Sequence, residues 1–378
     1  MHLDCASTMN LEPLFTQVFH SASTVHASSP GRVNLIGEHT DYNEGLVLPT
    51  PIAQRCEMLF GARADDRVEI RSVQMQTQAG YALGAESAGH TWLDYVQAIT
   101  QELHRASHTL HGFNAVVSSD VPLGSGLSSS ASFLVTIAKG LRELFKLEIT
   151  DVQIALLAQA AENGLVGARV GLMDQMACSL GKAGEALLID FRTLEYRSIQ
   201  LPKTMELVIL HSGLTHSLAG HEAGTRNYKT RRLECERACE LLGVASLRDL
   251  ELADLERVAA LPAPFAGRAR HVITENARVL ETVAALEAGD LRRVGALFYA
   301  SHVSMSADYD VSEPEIDLIV QIAGRTAGIH GARLTGGGFG GSVVMIADKG
   351  AGRVAGEAVM LEYAAQTGRS PRLLSPAG

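Results

Sequence analysis

Apolar residues recur at helical spacing in several segments of the chain. In residues 11–19 the apolar positions lie three and four apart, which predicts a helix with Asn10 as its cap. Asp151 is expected to cap a second helix that begins with it. The same spacing predicts helices over residues 91–105, 133–145, 151–165, 225–242, 268–286, 314–326 and 353–367.

Alternation of apolar and polar residues marks the strands. Val68, Ile70 and Ser72 alternate with charged neighbours, which predicts a strand over residues 67–73. Residues 28–51 are rich in Gly, Pro, Asn and Asp and predict a loop. Further strands are predicted over residues 33–36, within that loop, and over 55–62, 113–118, 185–190, 206–211 and 343–346.

The order of these elements indicates the fold class. Strands and helices are interspersed without the regular βαβ cadence of a doubly wound sheet. The chain of 378 residues is also longer than a single core usually supports. We therefore expect an α+β protein of two domains, residues 1–200 and 201–378.

Composition and charge narrow the class of partner. Apolar residues make up 46% and charged residues 20%, as in an ordinary globular protein. The net charge of −10 argues against a nucleic-acid partner, but a nucleotide phosphate can be held by backbone N–H groups. The five scattered cysteines predict reduced thiols, although Cys235 and Cys239, one helical turn apart, leave metal binding as an alternative. No membrane span or signal peptide is apparent, so a cytoplasmic location is expected.

Residues 124–132, Gly-Ser-Gly-Leu-Ser-Ser-Ser-Ala-Ser, lie between a predicted strand and a predicted helix. Small residues let the backbone approach a phosphate, and the free N–H groups of the first helical turn stabilise its negative charge. A serine hydroxyl in that turn is also a suitable magnesium ligand. The segment predicts a phosphate-binding loop, with a flexible Gly/Ser linker as the alternative.

Residues 31–45 gather one arginine, two glutamates, a histidine and an aspartate in a turn-rich stretch. Carboxylates accept hydrogen bonds from hydroxyl groups, so this mixture suits a polyhydroxylated ligand. A solvated polar loop is the alternative. His39 with Asp41 also leaves a metal site open, although two such residues are a weak signal.

Two further features are less specific. Residues 335–342 hold five glycines in eight positions before an apolar strand, which fits either a backbone lying against a ligand or a hinge. Glu162 and Asp174 follow the phosphate-binding segment. Asp174 is flanked by apolar residues, so it is expected to have a partner, with a helix cap or a surface acid as the alternative.

Together these segments resemble the GHMP small-molecule kinase family and, within it, the galactokinases. Residues 31–49 are similar to the galactokinase signature, 122–132 to the family's phosphate loop, and 334–342 to its third motif. The resemblance implies a two-domain GHMP kinase fold, with an N-terminal domain like domain 2 of ribosomal protein S5 and a C-terminal ferredoxin-like domain. It implies phosphorylation of the C1 hydroxyl of α-D-galactose by ATP with Mg²⁺, in a cytoplasmic monomer that binds neither nucleic acid nor membrane.

The resemblance also implies roles for individual residues. Asp174 and Arg32 match the catalytic pair, in which the acid faces the anomeric hydroxyl and the cation neutralises charge on the phosphoryl group. The substrate-binding positions are Arg32, Glu38, His39, Asp41, Gly171, Asp174 and Tyr228. The nucleotide-binding positions are Trp92, Gly124, Ser125, Gly126, Leu127, Ser128 and Ser129, and the metal ligands are Ser130 and Glu162. For Trp92, packing in the core is the alternative.

The chain departs from the family pattern in several places. Leu134 replaces a usual glutamate, Val303 and Ser306 replace usual arginines, and the run over residues 219–227 before Tyr228 is longer. Other functions stay open at this point: a kinase for N-acetylgalactosamine or another sugar such as arabinose, a non-catalytic sensor of galactose and ATP, and a homoserine- or mevalonate-type kinase. The intact serine run and Asp174 favour an enzyme over a sensor.

Overall fold

The computed structural model describes residues 10–168, 170–214 and 228–375. The chain forms two compact units. The first contains the residues up to Arg32, Pro51–Leu123 and Leu127–Gly181, and the second contains Val33–Thr50, Gly124–Gly126 and the residues from Lys182 onward. Neither unit is one continuous segment, unlike the two predicted domains divided at residue 200. The reason is long-range pairing that composition does not reveal, such as the bond from Gly37 N–H to Glu275.

The helices and strands are numbered in chain order. The helices of the described residues are α1 (Glu12–Phe19), α2 (Leu93–Arg105), α3 (Ser129–Phe145), α4 (Asp151–Asn163), α5 (Met173–Leu180), α6 (Tyr228–Leu242), α7 (Leu255–Ala259), α8 (Phe265–Glu287), α9 (Leu291–Ala307), α10 (Pro314–Ala323) and α11 (Gly352–Thr367). The strands are β1 (Val25–Asn34), β2 (Leu46–Val47), β3 (Pro49–Ala62), β4 (Arg67–Ser72), β5 (Thr77–Ala82), β6 (Phe113–Ser119), β7 (Glu185–Asp190), β8 (Tyr196–Gln200), β9 (Met205–His211), β10 (Ile329–Thr335), β11 (Ser342–Asp348) and β12 (Arg372–Ser375).

The first unit is built on a five-stranded sheet in the order β1-β3-β6-β4-β5. β6 is antiparallel to β3 and parallel to β4. The buried faces of α2, α3 and α4 contribute to one core with this sheet, which includes Phe60, Ile99, Val135 and Ile154. This core holds two helix ends in place, the start of α3 and the end of α4, and both carry residues of the candidate site.

The second unit contains a four-stranded antiparallel sheet in the order β10-β11-β9-β12. Its strands follow the chain order β9, helices, β10, β11, α11 and β12, which is the ferredoxin-like β-α-β-β-α-β arrangement. A smaller sheet pairs β2, β7 and β8. Helix α9 packs very closely on β10, because a Cβ at Gly295 would lie 2.0 Å from the carbonyl oxygen of His330.

Most of the predicted helices and strands are confirmed, and three predictions are wrong. Residues 28–32 belong to β1 rather than to a loop, because a strand at the edge of a sheet tolerates Pro30. Thr150, not Asp151, caps α4, and its hydroxyl accepts from Gln153 N–H in a capping box. Leu11, not Asn10, is the N-cap residue of α1, although the Asn10 side chain one position earlier accepts from Glu12 N–H over 3.1 Å.

Other features lie partly outside the described residues. The predicted helix over 225–242 is observed from Tyr228, while residues 225–227 and the run over 219–227 lie outside the described part of the chain. Within the described ranges, none of the helices has the length and apolar character needed to cross a membrane.

Candidate active site

The structure brings Arg32 and Asp174 together within the first unit. Arg32 lies near the end of β1, and Asp174 lies in the first turn of α5. The Nε and Nη2 groups of Arg32 donate to Oδ1 of Asp174 over 2.9 and 2.6 Å. The Arg32 side chain is 5% exposed and that of Asp174 is 31% exposed. A buried cation therefore orients a carboxylate that stays accessible, which confirms that Asp174 has a partner.

Ser128 supplies a second bond to the same carboxylate. Its hydroxyl donates to Oδ2 of Asp174 over 2.6 Å. Ser128 is the N-cap residue of α3, with a left-handed φ of 62°, and its side chain does not cap the helix. The first N–H groups of α3 have no acceptor within the helix, and the helix dipole favours an anion there. Asp174 is thus one hydrogen bond away from a helix end suited to bind phosphate.

The predicted strand, turn and helix around residues 124–132 are confirmed. Gly124 and Gly126 have φ values of 69° and 76°, a left-handed conformation that glycine adopts without strain. Ser125 and Leu127 are buried, and Ser129 begins α3. In the second unit, the Ser342 hydroxyl donates to the carbonyl oxygen of Ser125 over 2.8 Å. This packing does not fit the alternative of a flexible linker.

Glu162 and Ser130 form an oxygen-rich pair in the first unit. Glu162, at the end of α4, is buried, and this burial raises its pKa to about 7, although hydrogen bonds from Ser130 and Gln175 oppose the shift. Gln175 donates to Oε2 over 2.7 Å. The described residues contain no cluster of three or more His, Cys, Asp or Glu side chains that would hold a metal. Mg²⁺ in kinases needs only one or two protein carboxylates beside the nucleotide phosphates, so this pair fits it.

Trp92 and Gly171 each lie just before a helix of the first unit. Trp92 is the residue before α2, and its ring packs against the core of the first unit, as the core-packing alternative expected. Gly171 immediately precedes Leu172, the N-cap residue of α5. Gly171 therefore lies three residues before Asp174, on the backbone that leads into the first turn of α5.

In the second unit, Glu38 is held on both carboxylate oxygens. Arg333, whose side chain is fully buried, forms a short ion pair with Oε2, and Gly336 N–H donates to Oε1 over 3.1 Å. Burial raises the pKa of Glu38, while the ion pair with Arg333 opposes this shift. Both oxygens are already engaged, so the structure gives Glu38 a clear part in fixing the loop.

His39 follows Glu38 with a left-handed φ of 63° and is 5% exposed. Its Nδ1 lies 2.8 Å from the Tyr42 hydroxyl. The Gly337 backbone also interacts with the ring, and apart from it the buried Nε2 has no hydrogen-bond partner among the described residues. A buried polar atom without a partner is costly unless a ligand satisfies it. Asp41 begins the short 3₁₀ helix Asp41–Asn43 and is half-buried.

Tyr228 and the glycine-rich segment lie beside His39 in the second unit. The ring centroid of Tyr228, at the start of α6, is 5.5 Å from that of His39 and 5.2 Å from that of Tyr42. The Tyr228 ring would lie 3.7 Å from a Cβ at Gly337, so the glycine-rich segment packs against it. The structure therefore groups the Tyr228 ring with His39 and Tyr42 of the signature segment.

Helix α8 contributes residues that the sequence reasoning missed. His271 Nε2 donates to the carbonyl oxygen of Glu38, Glu275 accepts from Gly37 N–H over 3.0 Å, and Asn276 accepts from Leu46 N–H over 2.8 Å. Opposing charges nearby, chiefly Arg278, lower the pKa of Glu275 to about 2 despite its burial. The sequence did offer a signal for these residues. Glu275 and Asn276 follow His271 by four and five positions, so three polar side chains lie on one face of a helix that is otherwise buried there.

Three family descriptions match the chain. Residues 13–61 match the galactokinase galactose-binding signature, residues 94–182 the GHMP kinases N terminal domain, and residues 282–365 the GHMP kinases C terminal. These matches include the signature loop, the phosphate-binding segment with Asp174, and the glycine-rich segment.

Solved structures agree with these matches. The galactokinase of Lactococcus lactis, complexed with galactose, is 30% identical, with a TM-score of 0.88 and coverage of 96% of each chain. The mevalonate kinase of Methanococcus jannaschii is 18% identical with a TM-score of 0.67, and covers 93% of this chain and 97% of its own. The mevalonate kinase of L. major, in complex with R-mevalonate, is 20% identical with a TM-score of 0.63, and covers 93% of this chain and 95% of its own. The two mevalonate kinases share the fold.

Proposed function

Because the chain belongs to the galactokinase branch of the GHMP kinase family, we propose that it transfers the γ-phosphate of ATP to the C1 hydroxyl of α-D-galactose. The products are galactose 1-phosphate and ADP. One observation carries the proposal: the Asp174 carboxylate is bonded to Arg32 and also to Ser128 at the start of α3. An acid suited to face a sugar hydroxyl is thereby tied to a helix end suited to hold phosphate.

In this mechanism Asp174 orients the C1 hydroxyl and accepts its proton as the new bond from O1 to the γ-phosphorus forms. The bond from that phosphorus to the β,γ-bridging oxygen breaks, and ADP leaves with the electron pair. Arg32 neutralises charge that builds on the phosphoryl group, while the backbone N–H groups of residues 124–129 hold the phosphates of ATP. Catalysis comes mostly from alignment and charge neutralisation, with no covalent enzyme intermediate.

The sugar is held by residues of both polarities. We assign Asp41 and Glu38 as acceptors of its hydroxyl protons, His39 as a further polar contact, and Gly171 and Tyr228 as neighbours of the ring. The unpartnered Nε2 of buried His39 supports this assignment.

Ser130 and Glu162 are the proposed protein ligands of Mg²⁺, and Trp92 is proposed to lie near the adenine. Bound Mg²⁺ supplies neutralisation of the phosphate charge. The residues fit this role because the Ser130 hydroxyl is hydrogen-bonded to the buried Glu162 carboxylate, and Mg²⁺ prefers hard oxygen ligands. We further propose a cytoplasmic monomer, which sedimentation at the mass of one 40.3 kDa chain would support.

The proposal is tested by ADP release against a panel of sugars, with wild type, Asp174→Ala and the surface control Asp66→Ala. We expect magnesium-dependent turnover that is best with galactose. Asp174→Ala should lower kcat by about a thousandfold while galactose binding partly survives, and Asp66→Ala should have no effect.

Two outcomes would contradict this assignment. No turnover with any sugar, despite binding of ATP and galactose, would indicate a sensor. Faster turnover of N-acetylgalactosamine or arabinose than of galactose would show that galactose is not the preferred substrate.

A further inference from the structure

A chain of hydrogen bonds in the second unit leads from the core to His39. Cys235 Sγ lies 3.1 Å from the hydroxyl oxygen of Tyr309, which lies 2.8 Å from that of Tyr42. The Tyr42 hydroxyl in turn lies 2.8 Å from Nδ1 of His39. Cys235 and Tyr309 are buried in the core of this unit. Three groups with one movable proton each are thus connected in series to one nitrogen of the imidazole.

If neither tyrosine hydroxyl proton is left unbonded, such a series has two proton arrangements, because each thiol or hydroxyl donates one bond. In one, Cys235 donates to Tyr309, Tyr309 to Tyr42, and Tyr42 to Nδ1 of His39. In the other, every donor is reversed and the sulfur is the final acceptor. Sulfur is a weak acceptor, and the side chain of Asn43 already bonds to Cys235. The first arrangement also directs a hydroxyl proton at an imidazole lone pair, so it is the more favourable of the two.

The imidazole itself is neutral and firmly enclosed. Burial, with the nearby His271 and Arg231, lowers the pKa of His39 to about 3, so the ring carries a single proton near neutral pH. The ring of Tyr309 lies 4.7 Å from it, centroid to centroid. The backbone of Gly337 interacts with the imidazole and raises its pKa, which favours an N–H on the edge that Tyr42 does not occupy. Apart from this interaction with the Gly337 backbone, no described group completes a hydrogen bond at Nε2.

We propose that Tyr42, held by its hydrogen bond to Tyr309, is a positioning residue that places the proton of His39 on Nε2 and so makes His39 a hydrogen-bond donor to a galactose hydroxyl oxygen. This inference rests on the proposed function, which makes His39 a sugar contact. It also gives the site a physical basis for specificity. The carboxylates near His39 accept hydrogen bonds from sugar hydroxyl groups, whereas a fixed N–H donates one to a sugar oxygen. The site therefore distinguishes sugars by the orientation of the hydroxyl group that faces His39.

The proton position is tested directly by NMR of the ¹⁵N-labelled histidine side chains, with His39→Gln to assign the His39 signals. In wild type we expect a protonated Nε2 and an unprotonated Nδ1. Tyr42→Phe removes the donor to Nδ1, so a mixture of the two tautomers is expected. Tyr309→Phe should keep the wild-type tautomer, because the Tyr42 hydroxyl then has Nδ1 of His39 as its one acceptor within the series. Tyr299→Phe is the matched control, because the Tyr299 hydroxyl is buried and makes no hydrogen bond to the described residues.

Kinetics supply the second measurement. Tyr42→Phe should raise the KM for galactose roughly tenfold, whereas Tyr309→Phe should change it by less than about twofold, with kcat of both variants within about twofold of wild type. One monodeoxygalactose should be insensitive to Tyr42→Phe, because it lacks the hydroxyl that accepts from His39. Tyr299→Phe should change neither KM nor the tautomer.

The outcomes separate this inference from the proposed function. A proton on Nδ1 in wild type, or a tautomer in Tyr42→Phe that matches the Tyr299→Phe control, would overturn the positioning role of Tyr42. If the tautomer shifts in Tyr42→Phe but the KM for galactose is unchanged in His39→Ala, Tyr42 does position the proton, and the role of His39 toward the sugar is refuted.

Discussion

At the scale of single residues, Ser128 has two neighbours of different kinds. The sequence assigned it to the nucleotide, as part of a serine run, whereas the structure shows its hydroxyl donating to Oδ2 of Asp174. Spacing along the chain did not reveal this bond, because the two residues are 46 positions apart and meet only when α3 and α5 pack together. Ser128 thereby links the phosphate-binding helix to the proposed catalytic acid.

Ser128→Ala is therefore expected to lower kcat by about ten- to a hundredfold, since a hydrogen bond to a charged group typically contributes about 1.5–3 kcal/mol. The free energy of unfolding should change little, because the lost hydroxyl faces a partly exposed carboxylate. ADP release and urea unfolding of the same preparation check both statements. The exposed Ser21→Ala serves as control, and equal kcat in the two variants would refute the role of the bond.

His271 gives a pH dependence to stability. Burial lowers its pKa to about 4, from 6.5 in the unfolded chain. As the pH falls below about 6.5, His271 becomes protonated in the unfolded state but stays neutral in the folded state. The free energy of unfolding therefore decreases toward acidic pH, and this contribution is fully present only above about pH 6.5. The pKa of Glu275 is about 2, so this carboxylate stays ionised in the fold over the same range.

We expect the free energy of unfolding to fall between about pH 7 and about pH 5, and to fall less in His271→Gln. Urea titrations of both proteins at the two pH values measure the difference. Comparing the variants removes the contribution of Glu38, whose pKa burial raises, and most of that of His39, whose pKa burial lowers. The same slope in wild type and His271→Gln would show that another group causes the dependence.

At the scale of elements, α8 holds the signature loop through His271, Glu275 and Asn276. Of these three residues, Glu275 is the one that belongs to a cluster of charged groups. It bonds to Arg278 and Ser301, and its carboxylate lies 3.6 Å from the Arg333 guanidinium. Removing one partner from a buried charge cluster leaves the others uncompensated.

Glu275→Gln should accordingly lower the free energy of unfolding by about 3 kcal/mol and raise the KM for galactose. Denaturant unfolding and steady-state kinetics test this. Glu287→Gln, on the same helix, is the matched control, because Glu287 and its partner Arg197 are both about half exposed, at 52% and 55%. An effect no larger than that of Glu287→Gln would contradict the role assigned to Glu275.

Helices α9 and α5 were missed from the sequence, each for its own physical reason. Helix α9 was missed because Ser301, His302 and Ser304 lie on its buried face and interrupt the apolar pattern. Helix α5 was missed because its eight residues are too short for a periodic signal, although it carries Asp174. The periodicity of a helix reports burial only when the buried residues are apolar.

At the scale of the whole molecule, substrate binding should be visible as stabilisation. Galactose at about 100 times its Kd should add about 2.7 kcal/mol to the free energy of unfolding of the state that binds it, and should raise Tm. Chelation of Mg²⁺ should abolish turnover while the galactose-induced rise in Tm remains, because the proposed metal ligands Ser130 and Glu162 are distinct from the sugar residues. Thermal unfolding with and without EDTA tests this, and loss of the rise on chelation would refute it.

The sequence by itself determined the class of the fold, the family, and the segments that carry chemistry, because these depend on local spacing and on motifs contiguous in the chain. Only the tertiary structure decided which side chains meet. The partner of Asp174 at Ser128, the buried pair of Glu38 and Arg333, and the series from Cys235 to His39 join residues far apart in sequence. Such contacts follow from the packing of whole helices and strands, and one chain carries no local record of them.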